Sequence, residues 1–365
     1  MADTVESKLY SPLESGQIRL FSFHEQDLEH LHLQIFHLDD CPTYAALSYR
    51  WGDASQRTKI NINGISKDIH NNLAEALRSV LSQTSHQGQQ MRMTLAVELP
   101  EANLQSPILY FWADGICINQ DNLAERGQQV QIMGDIFSQA ACVLPHLMDD
   151  RCMASMKLLY ELFSEPMEAS HTTIAEVYTG NLATLGPFMR EPYWKRVWIV
   201  PEIVLAREIC VLCGTRAMSL SPLRTAMVVN SAIDLQVTVP FISVMSRKWN
   251  IRVLDVRHNG RPGFYNLSEW LYYLQDAQCS DERDRIYSLI GCVDWKLSSN
   301  IKPLQADYTI STGELFRRVV ELHIADGGYR IGLLRYALRW RDADHSLINS
   351  FLEAQNRNTS NQKTC

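Results

Sequence analysis

Three stretches of this chain gather polar and aromatic residues beside short apolar runs, the arrangement from which ligand-contacting loops are built. They are Leu47-Ser48-Tyr49-Arg50-Trp51-Gly52-Asp53, Trp112-Ala113-Asp114-Gly115-Ile116-Cys117-Ile118-Asn119-Gln120 and Tyr193-Trp194-Lys195-Arg196-Val197-Trp198-Ile199-Val200-Pro201-Glu202. Each also has a plain structural reading: Trp194, Trp198 and Ile199 as core, Asp114 as the cap of the next turn, Arg50 as a partner of some carboxylate. Glu202 stands between the two readings, because a charged side chain following an apolar segment is costly to bury without a purpose. Cys117 could be a nucleophile, yet its Ile-Cys-Ile setting suits an inert buried thiol. Cys210 and Cys213 form a lone Cys-x2-Cys pair, two ligands short of a zinc site. His24, His30, His32 and His37 lack metal-ligand spacing and read as a strand's solvated face, and no metal is expected. No phosphate-binding Gly-x4-Gly-Lys loop, dinucleotide Gly-x-Gly-x2-Gly turn, His-Glu-x2-His or Gly-x-Ser-x-Gly elbow occurs.

The elements that would position these residues alternate between strands and helices. Leu31, Leu33 and Ile35 alternate with polar residues as a half-buried strand requires. Ala45–Ser48, Ile108–Ala113 and Ala141–Leu144 read as short strands buried on both faces. Ile60 to Ile65 carries an Asn-Gly hairpin signal. Asn72 caps a helix running to about Leu81, with Glu75 three residues on. Val130, Met133 and Phe137, with Ile132, Ile136 and Ala140, mark a helix of about five turns, so strand, helix and strand make a βαβ unit with parallel strands. Tyr193 to Leu205 reads as a helix that Pro201 kinks or restarts, and Glu208 to Leu212 as one more strand. Beyond 215 the pattern turns helical: Ser221-Pro222, Ser268–Leu274, Asp284–Ile290, and a Ser311/Glu314 capping box. Gln83–Pro107 reads as a surface insertion and 353–365 as a frayed tail. The expected fold is α/β: a parallel-sheet N-terminal domain with a mainly helical C-terminal region. The divisions are 1–43 as a strand segment joined to the domain, 44–214, 215–352 and 353–365. Arg50, Asp53, Asp114 and Asn119 are expected on one rim, where the carboxyl ends of parallel strands converge.

Composition narrows the partners. The 365 residues hold 34 Lys and Arg against 41 Asp and Glu, a formal charge of −7, so no nucleic-acid footprint is expected. No apolar run reaches the ~18 residues of a membrane span. The first ten residues have no targeting character, and nine cysteines suggest reduced thiols, hence a cytoplasmic protein.

Taken together, the three stretches resemble the HET (heterokaryon incompatibility) domain family of filamentous fungi. Its pattern falls here on Tyr44–Gly52, Trp112–Gln120 with Glu125, Arg126 and Gln129, and Trp194–Glu202; Arg283–Leu289 and Asp307-Tyr308 resemble segments that follow the domain. Pro201 stands where the family usually has Gln, and Val143-Leu144-Pro145-His146-Leu147 where it usually ends a strand in Trp-Leu-Gly. The resemblance implies a module of fungal non-self recognition whose activation triggers programmed cell death. A weaker resemblance, to Toll/interleukin-receptor-type domains with their flavodoxin-like sheet, rests on Leu47–Asp53 followed by Trp198 and Glu202. It implies a NAD glycohydrolase with NAD as substrate and no required cofactor: Glu202 would be catalytic, and Tyr49, Arg50, Trp51, Asp53, Asp114, Asn119 and Trp198 would line the binding site. The alternatives are a non-enzymatic adaptor acting by homotypic assembly, as a homo-oligomer or with other death-signalling proteins, or an accessory protein that has drifted from the family role. The Arg283-Asp284-Arg285 run reads as structural.

Overall fold

The structure is a computed structural model that describes residues 9–24, 27–83, 110–163, 180–220, 267, 270–271, 274, 276–293, 295 and 303–325. Its elements, in chain order, are β1 (Gln17–His24), β2 (Asp27–His37), β3 (Tyr44–Ser48), β4 (Arg57–Ile62), β5 (Ile65–His70), a helix α1 (71–83), β6 (Tyr110–Trp112) and α2 (Asp114–Cys117). Then come α3 (Leu123–Gln131), α4 (Met133–Gln139), β7 (Cys142–Leu147), α5 (Cys152–Phe163), α6 (Leu182–Met189), α7 (Ile199–Val204), β8 (Cys210–Cys213), β9 (Arg216–Ser219), α8 (Asp284–Tyr287) and α9 (Thr312–Ala325).

The strands form one nine-stranded sheet, ordered β5-β4-β2-β1-β6-β3-β7-β8-β9. At its centre β6, β3, β7 and β8 run parallel. All five residues of β3 are buried, which its continuous apolar run requires of a strand covered on both faces. Taken in chain order, these four strands lie 2-1-3-4, so the connections leaving β3 and β6 diverge between β3 and β7. That divergence is where open α/β sheets place ligands, at the carboxyl ends of the strands.

The fold is α/β as expected, but the sheet is mixed rather than parallel. β1 lies antiparallel to both β2 and β6, β4 antiparallel to β5, and β9 antiparallel to β8. The alternation of β2, with Leu31 and Leu33 buried and His30 and His32 exposed, is the mark of such a flank. The β4–β5 hairpin turns at Asn63 and Gly64, whose φ of 53° and 80° suit the tight turn predicted there. The ladder between β7 and β8 lapses at Pro145, between the Val143–Ile209 bridge and the His146–Leu212 pair; a missing N–H is tolerated at such a gap. β7 therefore runs through the proline instead of stopping before it.

Helix α1 buries Leu73, Ala74, Ala76, Leu77 and Val80 and begins at 71, one residue before the expected Asn72 cap. The long helix expected around Val130 is two, because Ile132 (φ −103°, ψ 5°) interrupts it. Asn122 caps α3, its Oδ1 accepting from the amides of Ala124 and Glu125. The restarted α4 brings Gly134 against Gly291 of the 3-10 turn Ile290–Cys292, so close that a Cβ on Gly134 would lie 2.8 Å from the Gly291 Cα. A Gly134→Ala variant should therefore lose roughly 1–3 kcal/mol by overpacking, seen as a lower denaturant midpoint; an unchanged midpoint would mean this contact is loose.

Of the helical C-terminal pattern, Asp284 begins α8 and Ser311 precedes α9, its Oγ accepting from the Glu314 amide at 3.2 Å. Only half of the capping box forms, since the Glu314 carboxylate turns to Arg317 and Arg318. The expectations for 221–266 and 353–365, almost all of 83–107 and most of Ser268–Leu274 fall outside the described residues. No helix among those described is long and apolar enough to cross a membrane.

Candidate functional site

A cleft of about 820 Å³ opens beyond the carboxyl ends of β3 and β6. One wall is the β3 exit loop, Arg50 to Asp53, with Asp114 at the start of α2. A second is Arg196, Trp198 and Glu202, and a third comes from Gln278 through Asp281 with Asp284 and Tyr308. The loop geometry follows from local sequence. Gly52 has φ 78°, and a Cβ there would lie 2.5 Å from Asn72 Nδ2. Asp114 then fixes the loop, accepting from Trp51 Nε1 at 2.7 Å and from the Gly115 amide at 2.8 Å. Trp51 stays about one third exposed, its ring 5.1 Å from His70.

Helix α7 does not restart at Pro201. It starts at Ile199, with Pro201 as its third residue, where the proline's missing N–H would have had no helical partner. Glu202 follows, only 4% exposed. Its Oε2 accepts a hydrogen bond from Ser48 Oγ, and Ser48 Oγ lies 2.5 Å from the Tyr193 hydroxyl. The one Ser48 proton goes to the carboxylate, so Tyr193 donates to Ser48. Arg196 Nη1 is 3.8 Å from the same carboxylate oxygen. Burial pushes the Glu202 carboxyl up to about 7 despite the opposing pull of Arg196 and the Ser48 hydrogen bond. A buried carboxyl poised at neutral pH in a cleft is the usual form of an acid or base group.

The family model described as Heterokaryon incompatibility protein (HET) matches residues 44–202. Residues 44–202 are a HET domain. The chain is also 22% identical over 324 residues to Heterokaryon incompatibility protein 6, OR allele, of Neurospora crassa, an alignment covering 74% of this chain and 45% of that protein. The chain thus spans about half the length of this curated relative. No solved structure matches.

The HET domain begins at β3 and ends at Glu202, so both ends of the match meet at the Ser48–Glu202 hydrogen bond. Of the residues singled out from sequence, Arg50, Trp51, Asp53, Asp114, Trp198 and Glu202 line the cleft; Tyr49 and Asn119 do not. Tyr49 is buried with its hydroxyl against Gly115, where burial and then the nearby Asp114 charge push its pKa well up. Asn119 serves its own loop: its amide donates to Glu125 Oε1 at 2.7 Å and its Oδ1 accepts from the Asp121 amide. Glu125 and Gln129 of the same motif reach outside the domain, to Arg19 and to the Gln17 carbonyl of β1. Cys117 is buried and its thiol pushed up to about 12 by that burial, the inert setting read from its neighbours.

Sequence reasoning passed over Ser48, Tyr193, Arg196 and Arg126 as site residues, although all four sit inside the quoted motifs. Asp284, read as structural, does tie the two parts of the chain. It is buried, accepts from the Tyr308 hydroxyl at 2.7 Å and lies 3.8 Å from Arg126. It also lines the cleft. Asp284→Ala leaves the Tyr308 hydroxyl without its acceptor and Arg126 without its ionic partner, and should cost about 1–3 kcal/mol as a lowered melting temperature. Full thermal stability in that variant would refute the tie.

Proposed function

We propose that this protein acts in fungal heterokaryon incompatibility, as an effector of programmed cell death, and that its HET domain works by cleaving NAD. The observation that carries the reading is Glu202: a buried carboxyl, titrating near neutrality, in a cleft at the carboxyl ends of parallel strands. The incompatibility role is supported by the family match and by the name of the Neurospora crassa relative. The Toll/interleukin-receptor-like mechanism is supported by the 2-1-3-4 order of the central strands and by the Ser48–Glu202 contact, which brings the two resembling motifs together.

The chemistry needs one ionised carboxylate. The ribose–nicotinamide bond breaks with its electron pair going to the ring nitrogen, so nicotinamide leaves neutral and the sugar carries developing positive charge. Ionised Glu202 stabilises that charge in a water-poor setting. Water then forms the new bond to the anomeric carbon and gives up a proton, which the carboxylate can accept. Trp51 and Trp198 offer flat faces for the rings of the substrate.

Incubating the purified protein with NAD and following free nicotinamide tests the reading, at low and at high protein concentration so that assembly does not limit it. Release should rise with pH through about 7 as Glu202 ionises. No release at any concentration would end the enzymatic reading and leave a non-enzymatic adaptor acting by homotypic assembly or an accessory protein that has drifted from the family role.

A further inference from the structure

We infer that Arg196 and Arg50 form an anion subsite in the cleft, beside Glu202, that holds a phosphate or pyrophosphate group of the ligand. The nucleotide identity of that ligand rests on the function proposed above; the anion subsite rests on which polar groups of the cleft are already engaged.

Every carboxylate lining the cleft has a protein donor. Asp53 accepts from the Ser55 amide and hydroxyl. Asp114 accepts from Trp51 and Gly115, and Asp281 is held by two nitrogens of Arg283. Asp284 accepts from Tyr308 and Glu202 from Ser48. The arginines differ. Arg126 is spent: its guanidinium lies 3.7 Å over the Tyr308 ring and 3.8 Å from Asp284. Arg196 and Arg50 make no side-chain hydrogen bond among the described residues. Among the described residues the buried Arg196 Nη1 atom has no hydrogen-bond partner, and its ionic neighbour is the Glu202 carboxylate at 3.8 Å. Arg50 feels the buried Glu191 carboxylate electrostatically without bonding to it. A buried donor left unmade is costly, so such a group marks where an acceptor belongs.

The backbone fixes these donors in place. Arg196 is bridged to Gln278, whose amide donates to the Lys195 carbonyl at 2.6 Å and whose carbonyl accepts from the Val197 amide at 2.9 Å. Arg50 leaves β3 two residues after Ser48, the group that holds Glu202. Planar guanidinium forks with free N–H groups match phosphate oxygens in paired hydrogen bonds. The ligand-ready donors of this acid-rich cleft are therefore cationic: Arg196 stands 3.8 Å from the Glu202 carboxylate, and Arg50 lines the same cleft.

Calorimetric titration of the full chain with inorganic pyrophosphate and with ADP, at low and high salt, tests the subsite. The expected result is salt-sensitive binding of both, weakened roughly tenfold or more in Arg196→Gln and in Arg50→Gln, partly restored in Arg196→Lys, and unchanged in Lys195→Gln, whose side chain faces solvent. Melting temperatures identify any variant that has lost its fold, and Arg50→Gln carries the test if Arg196→Gln does. No binding by the wild type, or equal binding by the folded arginine variants, overturns the subsite. Arginine-dependent binding without nicotinamide release keeps the subsite and removes the NAD reading; release that is insensitive to both arginine substitutions does the reverse.

Discussion

Glu202→Gln should abolish nicotinamide release, by a factor of about 10² or more for the loss of a charge aimed at the developing cation, while stabilising the protein at neutral and alkaline pH. The second half follows from the first group's burial. The carboxyl of Glu202 titrates near 4.5 when unperturbed and at about 7 in the fold, so between those values the folded state binds more protons than the unfolded one. Stability then falls as pH rises through that window, by about 3 kcal/mol in total. The Gln variant has no such loss. Its stability relative to wild type should climb from pH 4.5 to about 7 and level off above. Denaturant midpoints at four or five pH values give the curve, and a flat difference would show that Glu202 is not buried as an acid. Retained nicotinamide release would separately remove its catalytic role.

How much of this site could be read in advance depended on the kind of information each residue carries. β3 and β6 were legible because a short apolar run bounded by polar residues has one economical use in an α/β protein. The flanking antiparallel strands were not, since alternation in β2 says that one face is wet but not which strand lies beside it. The break at Ile132 leaves the hydrophobic stripe intact, with Val130, Met133, Ile136 and Phe137 all buried, so periodicity alone runs straight through it. Within the motifs the difficulty is the side of the chain. Residues leaving a strand alternate in direction: Ser48 reaches Glu202 and Arg50 lines the cleft, while Tyr49 between them packs on Gly115. Membership in a motif marks all three alike. Arg196 and Ser48 matter through partners that the fold brings together over long sequence distances, and Asn119 proves to serve its loop for the same reason.

Arg19→Met is expected to cost more stability than any other single change considered, about 3–5 kcal/mol, because it strands a buried carboxylate. Arg19 is 1% exposed and pairs with Glu125 through both terminal nitrogens, at 2.6 and 3.1 Å. It also donates to the carbonyls of Cys117 and Ser11 and lies over the Tyr10 ring. The Glu125 carboxylate takes a third hydrogen bond, at Oε1, from the Asn119 amide, so one ion pair ties β1, the end of α2 and the loop into α3. A Met side chain follows the aliphatic stem of Arg19 but leaves the Glu125 charge facing an apolar core. Replacing both partners, as Arg19→Met with Glu125→Leu, removes the stranded charge and should recover much of the loss. Amide exchange at Asn119 should quicken in the single variant, since its acceptor is no longer held. An Arg19→Met protein as stable as wild type would show the pair to be dispensable. The pair also bears on where the folding unit begins: Arg19 and the Gln17 carbonyl that binds Gln129 lie before the HET domain at 44–202, yet their partners are two of its motif residues. A fragment cut to 44–202 would keep the Asn119 amide on Glu125 but lose its cation, so it should be less stable than one that retains the two strands before Tyr44.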